Sequence, residues 1–334
     1  MAMTTGNSSQ LIRSNLWSNE LKETLQDELM GMKYVRMLEG FPDGTTFNIP
    51  SIGDARTDDY VEDTAVKFRP LDTGNYTFTI SEYISSGHYI TDQAKQDLFY
   101  ASQLEAAFVP KERRAIMEHF ETTMFETPDN TMASAQDDPY LINGVAHRFA
   151  GGSAVSGLEG QIQLADFAYA NLALTKANVP AMNRVAIVPP EVAYIVENLS
   201  NITSLDSNPR WEGIVAEGIS TGMTFVKNIF GFDVYCSNYL PNSGDLTNAP
   251  TSLDKRDQST AGPDFTSVAG KPCYFFSATN DILPWVAAWR QMPEVEYIRD
   301  GDNLRDKYLT TARYGVQLYR PENMVICHTN LAVA

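Results

Sequence analysis

Pro42-Asp43-Gly44-Thr45-Thr46-Phe47-Asn48-Ile49-Pro50 and Asn75-Tyr76-Thr77-Phe78-Thr79-Ile80-Ser81 bracket the stretch whose reading decides the fold. Thr45, Phe47 and Ile49 alternate with their neighbours, as do Tyr76, Phe78 and Ile80 with Thr77, Thr79 and Ser81, the period-2 pattern of half-buried strands. Two antiparallel arms are expected. Between them lies Gly53-Asp54-Ala55-Arg56-Thr57-Asp58-Asp59-Tyr60-Val61-Glu62-Asp63, with five acids, one Arg and few residues able to fill a core. Turn chemistry precedes each arm, at Phe41-Pro42-Asp43-Gly44 and at Pro70-Leu71-Asp72-Thr73-Gly74-Asn75. Burial in so polar a ribbon cannot offset the entropy of ordering it. The ribbon is therefore expected to lean on a surface outside its own subunit. Phe47, Ile49, Asp58, Asp59, Glu62, Asp63, Lys67, Phe68, Arg69, Tyr76 and Phe78 are the residues expected at that contact.

A helical pattern takes over at Thr91 and runs to Phe125, with Ala94, Leu98, Ala101, Leu104 and Phe108, then Ile116, Phe120 and Met124, at spacings of three and four. At ~1.5 Å per residue it would extend about 50 Å, longer than a small domain is wide, so it serves as a spine. Pro110 is expected to kink or divide it. Upstream, Leu16 to Leu38 reads as one amphipathic helix broken near Gly31, with Leu21, Leu25, Leu29 and Met32 on one face, behind a flexible head. Downstream, Thr127 to Gly160 reads as loop containing a domain boundary.

An α/β alternation follows: a helix at Leu164 to Ala177, the apolar strand Arg184 to Val188, a helix entered through Pro189-Pro190, and a strand at Phe232 to Cys236. Asn242 to Gly270 reads as a polar loop. Further strands are expected at Cys273 to Ser277, Trp285 to Arg290, Glu294 to Arg299 and Tyr314 to Arg320, with Met324 to Thr329 closing the chain. No internal repeat is visible.

The 334 residues suffice for roughly two domains, and the apolar and charged fractions of 43% and 20% are those of a folded protein. Forty-two acids against 25 Lys plus Arg give a net charge of −17, which disfavours nonspecific attachment to nucleic acid or anionic membrane. Cys236, Cys273 and Cys327 stand far apart in sequence and outside any CxxC pair, so they read as buried thiols of a reducing compartment. No apolar run approaches the ~18 residues of a membrane span, and Met1 to Gln10 lacks the apolar core of a signal peptide. The sequons at Asn75, Asn198 and Asn201 are accordingly chance matches.

Gly218-Ile219-Ser220-Thr221-Gly222 fits the GxSxG nucleophile elbow, which would make Ser220 the nucleophile of a soluble serine hydrolase. That elbow needs a buried strand before the serine and a helix after it. Val215-Ala216-Glu217 is short and helix-prone, and Met223-Thr224-Phe225-Val226 reads as strand or turn, so a flexible glycine loop fits better. His88, His119, His147 and His328 fall in unlike contexts, and neither GxGxxG nor a Walker A pattern occurs. No catalytic residue, cofactor or metal site is assigned. Asp58, Asp59, Glu62 and Asp63 could hold a hard cation but lack EF-hand spacing, and read as a solvated or subunit-facing loop. Arg210-Trp211 reads equally as an interface anchor or as ordinary packing.

These elements, in this order, resemble the major capsid protein of tailed double-stranded DNA bacteriophages, whose fold is shared with encapsulin nanocompartments. The resemblance rests on Arg184-Val185-Ala186-Ile187-Val188-Pro189-Pro190-Glu191, on Ile229-Phe230-Gly231-Phe232-Asp233-Val234-Tyr235-Cys236-Ser237-Asn238-Tyr239-Leu240-Pro241, and on Tyr314-Gly315-Val316-Gln317-Leu318-Tyr319-Arg320-Pro321-Glu322. It implies an α+β fold: an N-terminal arm and helix over 1–40, an extended β-hairpin loop over 41–90, and a peripheral domain with a long spine helix over 91–159. A mixed α/β axial domain would follow over 160–286, and C-terminal strands over 287–334 would return to complete the peripheral domain.

The function implied is that of a non-enzymatic subunit, assembled in the cytoplasm of a bacterial host. As hexamers and pentamers it would build the icosahedral capsid of a virion around packaged double-stranded DNA. The extended loop would lie across a neighbouring subunit, making assembly cooperative. The acidic balance fits an inner wall along which DNA slides. Expected partners are other copies, a portal protein and, optionally, a decoration protein. With no long charged N-terminal helical extension, a separate scaffolding protein is expected as well. Some relatives cross-link through a loop lysine; Lys67 is the ribbon's one lysine, no partner for it is legible, and no cross-link is inferred. An encapsulin shell is the alternative within the fold, and a hydrolase using Ser220 the alternative outside it.

Overall fold

Arg184–Val188 is buried at every position of the computed structural model, as a near-continuous apolar run must be when both faces of its strand are covered. The architecture is built around it. The structure describes residues 29–332 apart from 40–43, 45, 54, 56, 71–72, 98–100 and 198–224. In chain order come β1 (Val35–Met37), β2 (Thr46–Ile52), β3 (Thr73–Thr79), β4 (Glu82–Thr91), α1 (Asp92–Asp97), α2 (Ala101–Met132), β5 (Leu141–Ile142), β6 (Val145–Ala146) and β7 (Arg148–Ala150). Then follow α3 (Leu164–Lys176), β8 (Arg184–Val188), α4 (Pro190–Glu197), β9 (Phe225–Ile229), β10 (Phe232–Cys236), β11 (Gly270–Ser277), β12 (Trp285–Asp300), β13 (Arg305–Leu318) and β14 (Val325–Asn330).

A mixed six-stranded sheet, β7-β14-β11-β8-β10-β9, has β8 near its centre, parallel to β10 and antiparallel to β11. Its two faces follow strand alternation. Ala186, Val188, Phe232 and Phe275 pack with Phe167 and Leu174 of α3 and Val192 and Val196 of α4. Val185, Ile187, Tyr274 and Phe276 pack on the other side with Phe120, Met124 and Phe125 of α2 and with Trp285. Cys273 and Cys327 stand opposite each other across β11 and β14, and burial pushes both thiols up in pKa, so they serve as small apolar groups.

The second sheet, β1-β12-β13-β4, is built on a long hairpin. The strands expected at Trp285 to Arg290 and Glu294 to Arg299 are one strand of 16 residues. Its register shifts at Trp289/Gln291 and Gln291/Glu294, so the break in the apolar pattern around Pro293 marks a bulged stretch within one strand. β13 begins at Arg305, earlier than the expected Tyr314, because its polar first half pairs with β4. The spine also differs from expectation. Helix α2 continues through both Pro110 and Pro128 to Met132, past the predicted end at Phe125. Thr127 and Thr131 donate back to the carbonyls four residues earlier, and Asp129 is held by Arg148, contacts that carry the helix over the second proline.

The helix predicted over Leu16 to Leu38 lies mostly outside the described residues, and its last part is corrected. Gly31–Lys33 is a 3-10 turn and β1 is a strand parallel to Trp285–Ala287. The amides of Met30 and Gly31 donate to the buried Glu121 carboxylate, both at 3.2 Å, and these tertiary bonds override local helix preference. β14 lies in the six-stranded sheet beside β11 and β7, although the sequence places 287–334 with the peripheral strands.

Candidate assembly interface

The two arms pair antiparallel over seven residues each, from Thr46 opposite Thr79 to Ile52 opposite Thr73. At its base the ribbon is fastened to its own subunit. Phe78 and Ile80 are buried against Val286 and Ala288, with Phe47 and Tyr76 half-buried beside them. Gly315 makes this seat possible: a Cβ there would lie 2.7 Å from the Thr79 carbonyl oxygen and 2.9 Å from the Ile80 Cα. The Tyr76 hydroxyl lies 3.1 Å from the Leu318 carbonyl and 3.2 Å from the Gln317 side-chain oxygen, either of which accepts its proton. Its ring meets Tyr319 edge-on at 4.9 Å. Burial, with Tyr319 adding to it, pushes the Tyr76 phenol up to about 12.

The far end has no such support. Residues 57–70 have no strand or helix and are exposed throughout. Phe68 is 94% exposed, with Tyr60, Val61 and Val66 also open to solvent. Asp58 receives Arg69 at 2.9 Å, an exposed pair of little energetic weight. Asp59, Glu62, Asp63 and Lys67 are exposed, and Asp63 turns the chain with φ 64. Among the described residues, no three of His, Cys, Asp and Glu converge as metal ligands. The structure thus divides the expected contact set. Phe78 is a core residue of its own subunit and Tyr76 an anchor, Phe47 and Ile49 are intermediate, and Asp58 through Arg69 form an unpacked tip.

Sequence reasoning missed two polar locks, because their members come from segments far apart in the chain. The buried Glu112 on α2 accepts from the Thr310 hydroxyl at 2.5 Å and from His88 at 2.8 Å, tying the spine to β13 and β4. At the other end of α2, Asp129 accepts from Arg148 at 2.7 Å and from His328 Nε2 at 3.1 Å, while His328 Nδ1 lies 2.9 Å from the Ser243 hydroxyl. All four side chains are buried, and Arg148 also donates to the carbonyls of Gln136, Asp138 and Asn248. Burial opposes the Asp129 charge, but His328 and Arg148 outweigh it and hold the carboxyl below its usual range. Burial dominates at His328 and lowers its pKa, so the neutral ring donates from Nε2 and accepts at Nδ1. The order serine, imidazole, carboxylate is that of hydrolases, yet no substrate reaches a fully buried Ser243, and the group works as a clasp. Ser220 and Arg210-Trp211 lie outside the described residues.

A family model described as phage capsid protein matches residues 75–326, so the chain belongs to this family of phage capsid proteins. No curated protein matches it. Solved structures share the fold. One titled as the capsid structure of cyanophage P-SCSP1u aligns with TM-score 0.68 at 14% identity, over 98% of this chain and 95% of that one. A chain of Mycobacterium phage Che8 gives 0.61 at 18% identity over 96% and 97%, and one from the capsid of Ralstonia phage GP4 gives 0.63 at 10% over 100% and 98%. The protein is therefore a structural subunit of a phage capsid, with the mixed α and β fold of tailed-phage major capsid proteins.

Proposed function

We propose that this subunit assembles as hexamers and pentamers into a closed icosahedral shell around packaged double-stranded DNA, in the cytoplasm of a bacterial host and with a separate scaffolding protein and a portal. The observation that carries the reading is the ribbon: anchored at Phe78 and Gly315, it holds Phe68 and its apolar neighbours Tyr60, Val61 and Val66 exposed to solvent. An exposed apolar tip on an otherwise well-packed chain supports contact with another copy. The four-stranded sheet with α2 serves as the peripheral domain and the six-stranded sheet as the axial one. No step of chemistry is assigned. No described helix is long and apolar enough to cross a membrane.

Electron microscopy of the expressed protein, alone and with candidate scaffold, tests the assembly. Uniform shells, or flat sheets of hexamers, are expected. A monomer that persists under all these conditions contradicts the reading, and an esterase activity lost in Ser220→Ala would overturn its non-enzymatic part.

A further inference from the structure

Beside the ribbon's base lies an open groove of about 550 Å³, lined by Met32, Met37, Leu38, Trp289 and Met292, with Glu39 and Arg290 as its charged residues. Met32 and Met292 are 41% and 65% exposed, and the Trp289 indole Nε1–H has no acceptor among the described residues. Beyond Ala287, where β1 stops, the outer edge of β12 has no partner strand among the described residues. Flexible, polarisable methionines suit an incoming aromatic ring.

We propose that this groove is the seat of a second copy's ribbon tip, with Phe68 of that copy entering among the methionines and its Lys67 meeting Glu39. The proposal rests on the assembly reading above and names the surface the tip occupies. Chemistry matches at both ends: the most exposed large apolar side chain described stands next to a lysine with no described partner, and a groove lined by Met32, Met37 and Met292 stands next to an acid in the same condition. A subunit's own ribbon tip lies away from its groove. Arg290 donates to the Gly44 carbonyl at 3.0 Å, which puts the groove at the ribbon's root. The seven-residue ladder then carries the tip roughly 20 Å away.

The test uses full-length protein with Cys236→Ser, Phe68→Cys and Met292→Cys, assembled and then mildly oxidised. A ladder of covalent dimers and higher multimers on denaturing gels is expected. Intact shells without a ladder overturn the groove assignment and leave the shell reading standing, whereas absence of shells from the unmodified protein defeats the shell reading itself. Bridges confined to single chains also overturn the assignment, as does a ladder that forms only after residues 1–28 are deleted, since that segment would then be the occupant. In parallel, Lys67→Glu and Glu39→Lys should each lower shell yield about tenfold, and the double exchange should restore it. Equal losses in single and double variants argue against the pairing.

Discussion

The strand Arg184–Val188 and the ribbon strands β2 and β3 are made by the same backbone pairing, yet they end in opposite conditions. The first is buried at all five positions between helices α3 and α4 on one side and the spine on the other. The ribbon buries residues at its root, against Val286, Ala288 and Gly315, whereas its tip is exposed at every position from 57 to 70. One region carries its stability within a single chain. The other is complete at its root and incomplete at its end, which separates what folds the subunit from what joins subunits.

That separation is broken or sharpened by substitution. The largest effect is expected at the clasp: Asp129→Ala leaves Arg148 buried without its carboxylate and should cost about 3–5 kcal/mol of monomer stability, read by denaturant unfolding. A loss below ~1 kcal/mol would show that the clasp is not what holds the spine to the six-stranded sheet. Gly315→Ala, at the ribbon's seat, should cost about 1–3 kcal/mol by forcing Thr79 and Ile80 aside. It should also impair assembly, because the tip is re-aimed; normal shells from this variant would mean the root does not orient the ribbon.

The smallest effect is one of pH. His328 is held neutral in the fold with a lowered pKa, so the unfolded chain binds the extra proton first as pH falls below the ordinary value of about 6.5. Stability supplied by the neutral ring is present above that pH and is lost below it, by at most ~1.4 kcal/mol per pH unit until the folded pKa is reached. Asp129, also lowered, extends the loss into the carboxylate range. His328→Gln should flatten the first part of that profile. An unchanged profile would assign the acid sensitivity to other groups.

Legibility in the sequence followed the same divide. The strand Arg184–Val188, the strand Phe232–Cys236 and the helix starting at Leu164 were readable because local apolar pattern and their burial agree. Ile116, Phe120 and Met124 were placed on the spine's inner face by their spacing alone, and all three are buried. Patterns failed where long-range polar bonds decide the outcome. Thr127 to Met132 looks like loop but is helix, since Arg148, 19 residues away in sequence, holds Asp129. Arg305 to Thr311 is assigned no element by its pattern but is strand, since it pairs with β4 across more than two hundred residues of chain. In the ribbon, alternation revealed the strands but not which end was anchored. Phe78 and Phe68 are chemically alike, and only the seat at Gly315 distinguishes a core residue from a free one.

Hydrogen exchange of unassembled subunits against shells asks directly whether the ribbon is finished only in company. Amides of β8 and β11 should be equally protected in both states, whereas those from residues 57–70 should exchange freely in the monomer and become protected in the shell. Strong protection of 57–70 already in the monomer, or none gained on assembly, would contradict the account.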